Sequence, residues 1–225
     1  MAIPLYDALN VQHSKNIGDP VAAATTNGDR WTSAQRDFHL NEAIRSWIRR
    51  MTFAGARLER NGQDAGVYWD ALQGYITSEA QALSSNTKTI ASWNSGAGVV
   101  YILSAYDTTL SKPMKRVSER NYTWAQTGGN GFLTASSSNI LWTQDGSSIR
   151  VSGSGATDSI TLRYVKAHTA LAANTGSSDI LVPPPYWDEI LNLAFSVAKM
   201  ELGDVESVTL AMAKEASVDK EIFGA

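Results

Sequence analysis

Cysteine is absent from the 225-residue chain. Thiolate nucleophiles, Cys-ligated zinc or iron-sulfur centres and disulfide frameworks are excluded with it. Histidine is scarce, and His13, His39 and His168 lie far apart without a His-Glu-x-x-His or similar ligand spacing. Each reads as a surface or hydrogen-bonded core histidine. The sequence has no run of about 18 apolar residues and no basic start followed by a short apolar run, so neither a membrane span nor a signal peptide is expected. A basic excess is missing too: 19 Lys and Arg against 22 Asp and Glu leave −3, which argues against a generally basic nucleic-acid binder.

What is present, 43% apolar and 18% charged residues, describes a globular chain. At this length about 70% of the unfolded surface can be buried, enough for a core without metal or disulfides. The charge is uneven. Residues 1–83 carry 8 basic and 9 acidic side chains, residues 84–178 carry 8 and 4, and residues 179–225 carry 3 and 9, giving −1, +4 and −6. Such an axis suits head-to-tail or ring association, because complementary potentials steer and register contacts. Residues 84–178 also hold 29 of the 42 serines and threonines and 9 of the 17 glycines, which is strand-and-turn vocabulary. The flanks follow a helical period. The expected fold class is α+β: a helical bundle formed by N- and C-terminal helices, with an inserted antiparallel β sandwich or barrel-like module. The expected boundaries are 1–86, 87–182 and 183–225, within one composite domain.

Thr32 and Gln35 form a Thr-x-x-Gln capping box, and Leu40, Ile44, Trp47, Ile48 and Met51 then make one apolar stripe. Residues 1–28 show no comparable helical signal. A turn at Asn61-Gly62 precedes a second expected helix, Asp64 to Leu83, with Val67, Ala71, Leu72, Tyr75 and Ile76 on its apolar side, paired antiparallel to the first. Expected strands are Thr89–Trp93, Val99–Tyr106, Gly131–Ala135, Ile140–Thr143, Ser148–Ser152 and Ser159–His168. Asp145-Gly146 marks a type I′ hairpin between Asn139–Gln144 and Ser147–Ser152. After Pro183-Pro184-Pro185, a helix begins with Asp188 and Glu189 in its first turn and buries Ile190, Leu191, Ala194, Val197 and Ala198. Gly203 ends it, and Asp204 caps a last helix through Val205, Val208, Met212 and Ala216.

The sequence supplies no catalytic constellation. Gly128-Gly129-Asn130-Gly131 lacks the lysine and helix of a phosphate loop, and Gly153-Ser154-Gly155 lacks the frame of a nucleophile elbow. Adjacent Asp188 and Glu189 diverge on their helix, so they do not face one another across a substrate. No catalytic, cofactor-binding or metal-binding residue is assigned, no cofactor is expected, and the chain is read as a non-enzyme. Trp93, Tyr101, Tyr122, Trp124 and Trp142 could stack on sugars as a carbohydrate-binding or adhesin module, though most are expected in the core. A hydrolase with an unusual site is a further alternative. Arg30, Arg36, Arg45, Arg49, Arg50, Arg57 and Arg60 crowd one stretch and fit either a DNA backbone or subunit ion pairs.

Several islands of sequence resemble the head-to-tail adaptor (connector, or neck) proteins of tailed bacteriophages. Asp29-Arg30-Trp31-Thr32, then Leu40-Asn41-Glu42-Ala43 and Ile48, resemble the family's opening helix. Leu110-Ser111-Lys112-Pro113 and Tyr122-Thr123-Trp124 are similar to the loop and Trp-bearing strand of its β module. Ile180-Leu181-Val182-Pro183, Tyr186-Trp187-Asp188-Glu189-Ile190-Leu191, Ala194 and Gly203-Asp204 resemble its closing segment, a proline-ended strand followed by two helices. The stretch 53–86 is longer and more helical than the family's compact link.

The resemblance implies a structural virion protein, assembled in the host cytoplasm and located in the phage neck. It would form a homo-oligomeric ring, commonly a dodecamer, under the portal protein, line the DNA channel and receive the tail or next neck protein, without a membrane partner. Another phage neck or tail structural protein is the neighbouring alternative. Arg45, Arg49, Arg50, Arg57 and Arg60 are then expected at the channel or a subunit interface. Ile222 and Phe223, beside Glu215, Asp219 and Glu221, are expected to dock on the portal, because large apolar residues near a chain end fray unless they dock.

Overall fold

The computed structural model describes residues 5–17, 31–126, 134–155, 158–171 and 180–201. It is a mixed α+β fold in which the chain divides into two compact units, residues 1–53 with 168–225, and residues 54–167.

The first unit is helical. The long helix α2 (Ser33–Arg60) starts in it and crosses into the other unit. Its capping box forms as the sequence reads: Thr32 N–H donates to Gln35 Oε1 at 2.9 Å, and Gln35 N–H donates to Thr32 Oγ1 at 3.2 Å. Leu40, Ile44, Trp47, Ile48 and Met51 are all buried. Helix α5 (Trp187–Glu201) places Asp188 and Glu189 in its first turn and buries Ile190, Leu191, Ala194 and Ala198, with Val197 half-buried. Residues 180–183 are not a paired strand but an extended entry into a tight turn, Pro184–Tyr186. Val182 O holds this entry by accepting from Trp187 Nε1 at 3.0 Å.

A helix that the sequence reading did not give, α1 (Leu5–Asn16), lies within residues 1–28. Among its positions whose burial is described, Leu9, Asn10, His13 and Ser14 are buried, and three of these are polar, so they form no apolar stripe.

The second unit is built on one seven-stranded sheet curled into half a barrel. Its strands are β1 (Ile76–Ala82), β2 (Thr87–Thr89), β3 (Val99–Asp107), β4 (Lys112–Arg116), β5 (Leu141–Asp145), β6 (Ser148–Ser152) and β7 (Ser159–Lys166). Their order is β1-β7-β3-β4-β5-β6-β2, antiparallel except for the parallel pair β4/β5. The concave core gathers Trp93, Ile102, Ile140, Trp142, Ile149, Val151, Ile160, Leu162 and Tyr164. Two short helices, α3 (Gly66–Ala71) and α4 (Glu119–Gln126), complete the unit.

Five expectations are corrected here. The helix foreseen over Asp64–Leu83, and its antiparallel pairing with α2, do not form. Helix α3 covers six residues, and from Ile76 the chain is strand β1, paired along its length with β7 from Ile76↔Val165 to Ala82↔Ser159. Ala, Glu and Gln in that segment favour helix weakly, and cross-strand burial outweighs so small a preference. Val67, placed on the apolar side, is 73% exposed.

Thr89–Trp93 is not a strand beyond Thr89, because Ile90–Ser92 turn tightly and Ser92 Oγ donates to Thr89 O at 2.5 Å. Tyr122-Thr123-Trp124 lies on α4, whose start Ser118 caps by accepting from Asn121 N–H at 3.3 Å. Thr134 and Ala135 are not in a strand, and the rest of Gly131–Ala135 lies outside the described residues.

The hairpin between β5 and β6 forms one residue further on than expected. Asp145 pairs with Ser148, so Gly146 and Ser147 make the turn. Gly146 has φ +54° and Ser147 no positive φ, which is the type II′ pattern with glycine first.

Candidate functional site

The five arginines singled out on α2 have different surroundings. Arg45 pairs with Glu42 one turn before it, and Arg50 pairs with Glu189 at the start of α5. Those two charges are balanced within the chain. Arg49, Arg57 and Arg60 are exposed. Arg57 and Arg60 occupy the last turn of α2, where positive charge complements the negative end of the helix dipole. Phe53 adds an exposed ring to the same helix, at 63% exposure. Arg36 turns back to donate to Trp31 O at 2.9 Å. The docking candidates Glu215, Asp219, Glu221, Ile222 and Phe223 lie outside the described residues, as do Arg30, the Gly128–Gly131 stretch and the helix expected after Asp204.

The aromatic platform of the β region is mostly used up by packing. Trp93, Tyr122 and Trp142 are buried, Tyr101 is half-buried and Trp124 is 49% exposed. The Arg116 guanidinium lies 5.5 Å from the Tyr101 ring centre and 5.2 Å from that of Trp142, and Trp69 stacks on Tyr101 at 6.4 Å. A cation thus already holds the ring faces that a sugar would need. Trp124, with Arg120, Asn121 and Thr123, borders a shallow open depression on α4.

Three polar networks, buried or partly buried, organise the units, and the sequence reading identified none of them. In the first unit Asn41, 5% exposed, uses its whole amide. Its Oδ1 accepts from His168 Nε2–H and from Leu171 N–H, each at 2.8 Å, and its Nδ2 donates to Asp37 O and Leu171 O, each at 2.7 Å. The second network, also in that unit, joins three helices. His13 Nε2 lies 3.1 Å from His39 Nδ1, and His39 Nε2 lies 3.1 Å from Glu201 Oε2.

In the second unit, the Glu79 carboxylate accepts from Asn94 N–H at 2.9 Å, Tyr164 Oη at 2.8 Å and Gln81 Nε2 at 2.6 Å. The Asn94 N–H, above all, holds its carboxyl below the usual range. Burial first, then Glu79, pushes the Tyr164 hydroxyl up to about 12. This cage pins a loop whose Asn94 and Ser95 adopt φ +56° and +50°, a conformation that costs energy in non-glycine residues.

Burial, and secondarily Arg45, lowers His168 from 6.5 to about 4. The folded chain therefore keeps it neutral while the unfolded chain takes a proton below about 6.5. The associated stability is complete above that pH, falls as pH drops toward 4, and is level below. The expected loss between pH 7 and pH 4 is about 2–3 kcal/mol. Denaturant titrations at several pH values should find it, and His168→Gln, which keeps a donor toward Asn41 but does not titrate, should remove that part of the pH slope. An equal pH slope in that variant would refute the assignment.

Among the described residues no group of three or more acidic or histidine side chains could hold a metal ion, and no helix is long and apolar enough to cross a membrane. A scan against family models and a search of curated proteins each find no match to this chain.

Proposed function

We propose that the chain is a structural, non-enzymatic protein of a virion. Within that class it is a head-to-tail adaptor of a tailed bacteriophage, a homo-oligomeric ring, commonly a dodecamer, joining the portal to the tail or next neck protein around the DNA channel. In this reading the terminal helices are the bundle that frames the ring, and the half-barrel sheet is the inserted β module.

The observation that carries the proposal concerns the Leu40-Asn41-Glu42-Ala43 island. Leu40 and Ala43 are fully buried, and the Asn41 amide ties α2 to residues 168–171, where the chain has just left the β unit. A fold in which helices are interrupted by a β insert needs such a tie at the point of return. Arg49, Arg57 and Arg60, exposed on α2, supply positive charge for the channel or a neighbouring subunit.

The acidic tail, with Ile222 and Phe223, docks on the portal in this reading. Deleting residues 218–225 is therefore expected to leave the melting temperature nearly unchanged and to abolish attachment to the portal. Normal attachment of the truncated protein, or its unfolding, would contradict that assignment.

A further inference from the structure

The chain His13–His39–Glu201 runs through three helices, α1, α2 and α5, and its hydrogen bonds have one direction. A glutamate carboxylate only accepts, so His39 Nε2 carries the proton that Glu201 Oε2 receives at 3.1 Å. Neutral His39 then has a lone pair on Nδ1, and His13 must donate to it from Nε2 at 3.1 Å. His13 is left with a lone pair on Nδ1. That atom is buried and has no hydrogen-bond partner, although the whole residue is 0% exposed.

The surroundings give a proton arriving there no support. Helix α2 presents the Arg36 guanidinium, whose charge opposes a cation on His13, together with the His39 ring edge at 5.3 Å between centroids. Asp37, the acid of α2 nearest in sequence, is engaged with Asn10 Nδ2 at 2.9 Å. Helix α5 presents Glu201, which reaches His39 and not His13. A proton arriving at the open end of the chain turns His13 Nδ1 into an N–H. The Nδ1–H of His13 would then be a buried donor without an acceptor.

We infer that α1 is a latch released by acid: protonation of the His13–His39–Glu201 chain detaches α1 from α2 and α5, because the open end of the chain can be satisfied only by water. Burial, then His39 and Arg36, lowers His13 from 6.5 to about 4, in keeping with a ring that resists protonation while docked.

Amide hydrogen exchange of the full chain, corrected for intrinsic rates, tests this between about pH 7 and pH 4.5. The protection of α1 amides is expected to fall about tenfold per pH unit below about 6.5, one proton being taken up on release, and to fall ahead of the Leu40–Met51 amides of α2. His13→Gln, whose amide donates from the place of Nε2 and does not titrate, should keep α1 protected throughout. A second readout is the ring-nitrogen chemical shifts of His13, with Nε2 protonated and Nδ1 bare at pH 7. Protection of α1 that ignores pH, an equal acid loss in His13→Gln, or a proton on His13 Nδ1 at pH 7 would each overturn the inference. If His13→Gln fails to dock α1 at all, the wild-type exchange and nitrogen shifts decide by the same outcomes.

Discussion

Replacing Asn41 with leucine is expected to cost about 3–6 kcal/mol of stability. Leucine keeps the branched shape and the number of heavy atoms, so the loss comes from polar groups left behind rather than from a cavity. His168 Nε2–H, in a buried place, and Leu171 N–H and Leu171 O, in a half-buried one, would each lose the partner they meet at 2.7–2.8 Å. A buried donor or acceptor without a partner costs about 1–3 kcal/mol, and with two of the three groups on half-buried Leu171 at the lower end of that figure the range follows. Asn41→Asp should be nearly as damaging despite its matching shape, because a carboxylate cannot donate to Asp37 O or Leu171 O and would face both carbonyls with negative charge. Denaturant unfolding of the variants measures this. A cost below about 1 kcal/mol for Asn41→Leu would mean that residues 168–171 do not depend on the amide.

Trp47→Ala should cost about 3–5 kcal/mol, the usual range for emptying a large buried aromatic site. Trp47 is 0% exposed and its ring packs 5.2 Å from that of Tyr186. The sharper test is Trp47→Phe. The indole Nε1 is buried with no acceptor, so phenylalanine removes an unsatisfied donor along with one ring, and the two effects offset. That variant is expected to lose less than about 1.5 kcal/mol. Trp93→Phe in the β unit gives the contrast, since Trp93 Nε1 donates to Glu79 O at 3.3 Å and phenylalanine leaves that carbonyl without it. Equal losses for Trp47→Phe and Trp47→Ala would show that the whole indole shape, not its burial, is what the site requires.

The legible elements were those whose buried face is apolar at one period. Helices α2 and α5 could be read from Leu40 to Met51 and from Ile190 to Ala198, and strand β7 from the alternation Ile160, Leu162, Tyr164. Helix α1 was hidden because Asn10, His13 and Ser14 bury polar groups, and such a face leaves no hydrophobic pattern. Strand β1 was hidden for the opposite reason. Its residues favour helix in isolation, and only pairing with β7, some eighty residues away, makes it a strand. Helix α4 was missed because the resemblance to the adaptor family implied a strand at Tyr122-Thr123-Trp124, while the Ser118 cap pointed the other way.

The candidate site was legible in residue type but not in pairing. The arginine cluster is plain in the sequence, whereas the division into paired Arg45 and Arg50 and exposed Arg49, Arg57 and Arg60 depends partly on Glu189, far along the chain. Asn41 and His168 are likewise 127 residues apart, and local spacing carries no sign of their bond.

The most direct test of the adaptor reading is electron microscopy of the purified full-length chain mixed with a portal protein of a tailed phage, with particle masses measured on the same sample. The account predicts closed homo-oligomeric rings seated coaxially on the portal with an open central channel. A protein that stays monomeric and leaves the portal bare would contradict it.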